Sequence, residues 1–241
     1  MTDAIGWLSA PMECPTCGCD VDMRRIEGAV GRSYAICPTH GARRPREPIV
    51  TGHYSIKITK AAVAIRQRVK FAASKIQLRV LVWGPSPVIR TSTGSLRVQI
   101  RRELKDLGHE ALFSEEFPSF LDGQPTNLVE IMQMSVANLV VLLADSYGSL
   151  AELHDFGLLL GKKLLTWMPE VARGGYSATG LGRMMATAGN APIFFSPDDV
   201  DSGVMVLASA DWVENWRTFT VFQREREKLA QKLDPTTPIG I

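Results

Sequence analysis

The sequence lacks the features that would place the protein in a membrane or export it. No apolar run approaches the roughly 18 residues that a membrane-spanning helix requires. The amino terminus carries Asp3 and has no basic segment followed by an apolar one, so we recognise no secretion signal. The net charge is only +2, which does not demand a nucleic-acid partner. We therefore expect a cytoplasmic protein without a membrane partner.

Cysteine is scarce: the chain has 4 cysteines, and the last of them is Cys37. Such clustering without a secretion signal favours metal binding over disulfides. Two ligand-x-x-ligand motifs, each followed by glycine, have the spacing that lets both side chains reach one ion. They predict a structural zinc site with the ligands Cys14, Cys17, Cys37 and His40. Cys19 is a spare thiol that could replace one ligand, and the alternative to a metal site is a set of free thiols.

The segment between the two motifs reads as a β-hairpin that turns near Gly28 to Gly31. Residues 1–50 together resemble a zinc ribbon, a unit too small for a hydrophobic core, whose stability depends on its metal. Such a ribbon binds nucleic acid, binds protein or packs beside a larger domain. A basic surface, which permits nucleic-acid contact, is predicted from Arg24, Arg25, Arg32, Arg43, Arg44 and Arg46. Residues 51–77 predict a connecting helix with a basic face, which either binds a nucleic-acid or protein regulator or is simply solvated.

Residues 78–241 alternate short apolar runs with helical segments. The predicted strands are 78–83, 110–114, 138–144, 163–167 and 191–195. This alternation predicts an α/β fold with a doubly wound, mostly parallel, five-stranded sheet of flavodoxin-like order, preceded by the small zinc ribbon. Two helices, 204–216 and 219–233, are expected at the end. The second is amphipathic and is expected to cover the domain or to contact a second subunit in a homo-oligomer.

The loop after the first predicted strand is rich in Ser, Thr and Gly, but it matches neither the Walker phosphate-binding motif nor the dinucleotide glycine fingerprint. We expect it to face a phosphate or sugar where a helix of residues 96–107 begins. Ser86, Ser92 and Gly94 are candidate substrate contacts. Arg97 either supplies positive charge to that site or is solvated on the surface.

Acidic residues follow the next predicted elements. Glu115 and Glu116 come after the second strand, where a carboxylate could meet a ribose hydroxyl, but adjacent acids in a loop are more typical of solvated positions. Glu130 lies three residues after Asn127, the spacing of a capping box at a helix start.

The stretch 138–163 contains the main candidate for chemistry. Its apolar strand ends at Asp145, a turn of small residues follows, and helical spacing begins at Leu150. Glu152 is therefore expected in the first helical turn, beyond the carboxyl end of a central strand, which is where open α/β sheets bind ligands. The alternative is that Glu152 only complements the helix dipole.

This arrangement of apolar strand, Asp145, small-residue turn, Glu152 and apolar helix resembles the nucleoside 2-deoxyribosyltransferase superfamily and the related TIR domains, over roughly Arg79 to Leu207. In both groups a glutamate that opens such a helix acts on the bond between a ribose and a base. The resemblance implies that Glu152 is catalytic and that Asp145 orients it or binds a hydroxyl. Ser86 and Ser149 would then contact sugar or phosphate.

The resemblance implies an N-glycosidic-bond hydrolase or transferase that acts on NAD or on a nucleoside or nucleotide. The pattern is also similar to the effectors of bacterial antiphage systems, which implies an activity controlled by a partner through the ribbon and the basic helix. Two alternatives stay open: a non-catalytic nucleotide-sensing or nucleic-acid-associated binding module, and an adaptor that uses its C-terminal helix as an interface.

Overall fold

The computed structural model describes most of the chain. The described residues are 13–26, 30–44, 56–88, 91–117 and 126–233, with the side chains of 56–62, 126–127 and 229–233 excepted. Arg46 and residues 27–29 of the predicted hairpin turn lie outside the described residues. Within these ranges no helix is both long enough and apolar enough to cross a membrane.

A small antiparallel sheet comes first in the chain. Its strands, in the order β1-β2-β3, are β1 (Asp22–Ile26), β2 (Arg32–Cys37) and β3 (Gly41–Arg43). The predicted hairpin corresponds to β1 and β2, whereas β3 was not predicted. The helix α1 (Ile56–Ser74) follows, as expected from the sequence.

The main sheet has five parallel strands, all of which coincide with the predicted apolar runs. They are β4 (Arg79–Trp83), β5 (Glu110–Phe113), β6 (Leu139–Leu143), β7 (Leu164–Pro169) and β8 (Ile193–Phe195). Their order is β5-β4-β6-β7-β8, so the first strand of the sheet lies between the second and the third. The chain direction across the sheet therefore reverses between β4 and β6, which is where such folds open a crevice. The prediction of a flavodoxin-like α/β fold is confirmed.

Helices cover both faces of this sheet. They are α2 (Ser92–Asp106), α3 (Thr126–Val136), α4 (Tyr147–Leu160), α5 (Gly182–Thr187), α6 (Pro197–Asp201) and α7 (Val204–Leu233). Alternation along β4 separates two cores: Val80 and Val82 pack with α1, α2 and α7, whereas Leu81 and Trp83 pack with α4 and α5. Buried runs without polar residues suit strands that are covered on both sides.

Two helix boundaries differ from the prediction. The C-terminal segment is one helix of 30 residues rather than two, because neither Gly nor Pro stands between Trp216 and Phe219 to end it. Helix α2 begins at Ser92 rather than at Leu96, because the Thr91 hydroxyl accepts a hydrogen bond from the Gly94 N–H at 3.0 Å and caps it.

The small sheet shares its core with the main domain instead of standing apart. Ile26 and Tyr34 are buried in the same cluster as α7. Asp211 of α7 accepts hydrogen bonds from the Tyr34 hydroxyl at 2.8 Å and from Arg44 at 2.6 Å. Asp199 of α6 accepts both hydrogen bonds of a bidentate contact with Arg24, each 2.8 Å long.

These contacts engage part of the predicted basic surface. Arg24 and Arg44 pair with the carboxylates of α6 and α7, and Arg32 lies 3.4 Å from Asp211. Three of the six arginines assigned to a nucleic-acid surface therefore hold the small sheet on the domain.

Candidate active site and metal centre

A cavity of about 710 Å³ opens at the carboxyl ends of β4 and β6. Segments that follow β4, β5 and β6 line it, together with one face of α3. Its polar lining includes Ser86, Thr91, Ser92, Ser114, Glu115, Glu130, Gln133, Asp145, Ser146, Ser149 and Glu152. The strand order places this cavity at the reversal point of the sheet, where the fold class binds ligands.

Helix α4 carries Glu152 into this cavity. Ser146 caps the helix, and its hydroxyl accepts a hydrogen bond from the Ser149 N–H. The helix thus begins one turn earlier than predicted, and Glu152 lies in its second turn. A carboxylate in that position gains less from the helix dipole, which weakens the purely structural alternative.

The environment of Glu152 favours its neutral form. Burial and, to a smaller extent, the nearby Glu130 raise the pKa of this carboxyl to about 8, against an opposing contribution from Arg97. Oε2 of Glu152 is buried and has no hydrogen-bond partner among the described residues. At neutral pH the cleft therefore contains a protonated carboxyl that is free to donate to a ligand.

Glu115 in the same cavity has the opposite character. Arg97 is fully buried and donates two hydrogen bonds of 2.8 Å to its carboxylate. Burial alone would raise the pKa of Glu115, but its hydrogen bonds, led by those from Arg97, together outweigh burial and lower it. One cleft thus holds a neutral carboxyl and an ionised one, a pairing typical of acid–base chemistry.

Arg97 itself holds the backbone at one edge of the cleft. Its guanidinium donates to the carbonyl oxygens of Val82, Gly84 and Pro85 at 2.9 to 3.2 Å. It does not belong to the cavity lining and is not solvated. The role that the structure gives it is to fix the end of β4 and the position of Glu115.

The other predicted contacts divide into two groups. Ser86, Ser92, Ser149 and Asp145 all line the cavity, and Asp145 is exposed there. Gly94 is buried in the first turn of α2, where its N–H is engaged by Thr91, and it lies outside the lining. The Ser149 hydroxyl already donates to the carbonyl oxygen of Ser146.

Sequence reasoning missed two lining residues of α3 and undervalued Glu115. Glu130 was interpreted as part of a capping box, but α3 begins at Thr126, so Asn127 is helical and cannot be the cap. Burial raises the pKa of Glu130, with a contribution from Asp155. Gln133 is buried and carried no signal in the sequence. Glu115 did carry one, since it follows a strand that ends at the same sheet edge as Glu152.

The predicted metal ligands come together beside the small sheet. The ligand atoms of Cys14, Cys17, Cys37 and His40 all lie within 4.8 Å of one another, so this cluster can hold a metal ion. Cys17 and Cys37 have their sulfurs 3.8 Å apart, and Nδ1 of His40 lies 3.7 Å from the sulfur of Cys14.

Cys19 lies at the edge of this cluster. Its sulfur is 3.0 Å from that of Cys17 and 3.4 Å from that of Cys37. The spare thiol is therefore close enough to compete for a ligand position.

Comparison of the chain with protein-family models and with curated proteins finds no match. The chemistry of the site has to be inferred from its own residues.

Proposed function

We propose that the protein cleaves or transfers an N-glycosidic bond of NAD or of a nucleoside or nucleotide, the reaction that its resemblance to the nucleoside deoxyribosyltransferases and TIR domains implies. The observation that carries this proposal is that one cleft at the sheet reversal holds Glu152, whose buried Oε2 has no partner among the described residues, and Glu115, which Arg97 binds through two hydrogen bonds. Departure of a base from a ribose needs a proton for the base and negative charge near the sugar carbon.

Glu152 supplies the proton in this proposal. It protonates the leaving base, the bond between base and sugar breaks, and the sugar becomes oxocarbenium-like. The new Glu152 carboxylate and the Glu115 carboxylate stabilise this positive charge. Water, or a second base in a transfer, then adds to the sugar carbon and gives its proton back to Glu152. A nicotinamide that is already cationic leaves without that proton, and its charge favours an ionised Glu152 from the start.

The ion of the cysteine cluster is proposed to be zinc in a structural role. Zinc–sulfur bonds of about 2.3 Å in a tetrahedron give sulfur–sulfur edges of about 3.8 Å. The separation of 3.8 Å between the sulfurs of Cys17 and Cys37 fits such an edge. Three thiolates and one imidazole leave no open position for substrate, so Cys14, Cys17, Cys37 and His40 would support the fold.

Control by a partner, as in antiphage effectors, is a further part of the proposal. Since three arginines of the small sheet are engaged by the domain, helix α1 is the better candidate for docking nucleic acid or protein. Its Arg68 and Lys70 are exposed.

The test incubates purified protein with NAD, nucleosides and nucleotides and measures the release of free base after the products are separated by chromatography. We expect free base from the wild type and none from Glu152→Gln, which keeps the shape and neutrality of the protonated acid but cannot transfer a proton. The panel is repeated with nucleic acid and cell extract to supply an activator. Binding of nucleotides without release under every condition would favour the non-catalytic binding module instead.

A further inference from the structure

Gln133 contributes a buried acceptor that no protein group uses. The residue is 3% exposed and lines the cleft. Its Nε2 donates to the carbonyl oxygen of Ser114 at 3.1 Å, and because a carbonyl oxygen can only accept, this contact fixes the orientation of the amide. Oε1 is then buried without a partner among the described residues. A ligand that brings a donor to this oxygen removes the cost of leaving it unpaired.

Glu152 contributes the complementary group. Its Oε2 is likewise buried without a partner, and the carboxyl is protonated at neutral pH. Gln133 of α3 and Glu152 of α4 both line the cavity. A ligand that satisfies both needs a donor and an acceptor on the same edge.

We propose that Gln133 selects bases with an amino group beside an acceptor. Cytosine and adenine each carry an amino group next to a ring nitrogen that accepts a hydrogen bond. Uracil and hypoxanthine also have an N–H beside a carbonyl group, but in the same position they turn the carbonyl oxygen towards Oε1 of Gln133 and the N–H towards Glu152. The inference rests on the proposed function, because it assumes that the base occupies this cleft, and it adds the class of base.

The experiment measures binding separately from turnover. Calorimetry with the Glu152→Gln protein uses two matched pairs, cytidine against uridine and adenosine against inosine. We expect the amino member of each pair to bind at least about tenfold more tightly, since the other leaves a buried acceptor unpaired. Adding Gln133→Met, which keeps the length of the side chain but removes the acceptor, should reduce the difference to about twofold or less. Gln99→Met, an exposed glutamine of α2, is the matched control and should leave it unchanged.

Equal binding within each pair, or a preference that survives Gln133→Met, would overturn the inference. If Gln133→Met does not fold, Gln133→Leu takes its place, and equal binding within each pair overturns the inference without either variant. Base release by the wild type from both members at equal rates would support the glycosidic reaction and refute the selection by Gln133. Selective binding of amino bases without release from any substrate would support the selection and refute the reaction.

Discussion

Arg97 and Glu115 are joined by two hydrogen bonds of 2.8 Å, although the arginine side chain is fully buried and the glutamate side chain is 50% exposed. The pair connects the start of α2 to the end of β5 behind the cleft. It keeps one carboxylate ionised beside Glu152, and so the difference in protonation between the two carboxyls depends on it.

Arg97→Met should therefore be costly. It leaves Glu115 and three backbone carbonyl oxygens without their donor, and we expect a loss of about 3 kcal/mol in the free energy of unfolding, measured with urea. Arg101→Met is the matched control. Arg101 is on the same helix and also lies over the Phe113 ring, but its pair with Glu116 is more exposed, so its loss should stay below about 1 kcal/mol. Equal losses in the free energy of unfolding for the two variants would show that burial of Arg97 adds no stability to its pair with Glu115.

Stability should depend on pH through Glu152. Because burial raises its pKa from 4.5 to about 8, the folded protein keeps a proton between these values that the unfolded chain releases. The stability that this retained proton contributes is fully present below about pH 4.5 and is lost as the pH rises towards 8. Urea midpoints of Glu152→Gln should fall less steeply over this interval than those of the wild type. Glu225→Gln, an exposed glutamate of α7, should follow the wild type, and parallel curves for all three proteins would contradict the raised pKa.

Zinc content should distinguish the roles of two neighbouring cysteines, Cys37 and Cys19. Cys37→Ser removes a proposed ligand and should lower the bound zinc, measured by atomic absorption after dialysis, to a small fraction of one ion per chain. Cys19→Ser should keep nearly the full amount. If instead Cys19→Ser loses zinc and Cys17→Ser retains it, Cys19 is the ligand.

Two glycines with the same backbone conformation should respond differently to alanine. Gly18 and Gly41 both have φ of +72°, which an L side chain rarely adopts, but within the described part of the chain only Gly41 faces a neighbour: an added Cβ would lie 2.8 Å from the carbonyl oxygen of Ser202. Gly18→Ala should cost about 1–2 kcal/mol for the conformation alone. Gly41→Ala should cost clearly more, because β3 must also move off α6 and α7. Thermal unfolding of both variants with the metal bound measures the difference, and equal shifts would argue against close packing at Ser202.

The parts of this protein that sequence could predict are those with local signals. Five apolar runs of strand length gave the strands of the sheet, and two ligand-x-x-ligand motifs predicted a cluster that can hold a metal. Glu152 was placed near the sheet edge because it follows a central strand. Each of these features depends on residues that are close together in the chain.

The parts that sequence could not predict depend on contacts between distant segments. Arg97 was assigned to the surface or the substrate, because nothing local showed that Glu115 and three carbonyl oxygens would surround it. Gln133 carried no signal, since its importance comes from the carbonyl of Ser114 on one side and the cleft on the other. Ile65 of α1 is an apolar residue that is 60% exposed, whereas Ala72 and Ala73 further along the same helix pack with the domain core, and nothing local in the sequence distinguishes them.

The contacts between the small sheet and α7 limit where the chain can be shortened. A shortened protein that begins at α1 would lose Arg24, Arg32 and Arg44, and the side chains of Asp199 and Asp211 would lose those partners. It would also uncover the apolar surface that Ile26 and Tyr34 now fill. The N-terminal segment is thus part of the folding unit of the α/β domain. Trimming that removes β1 to β3 is therefore expected to destabilise the α/β domain.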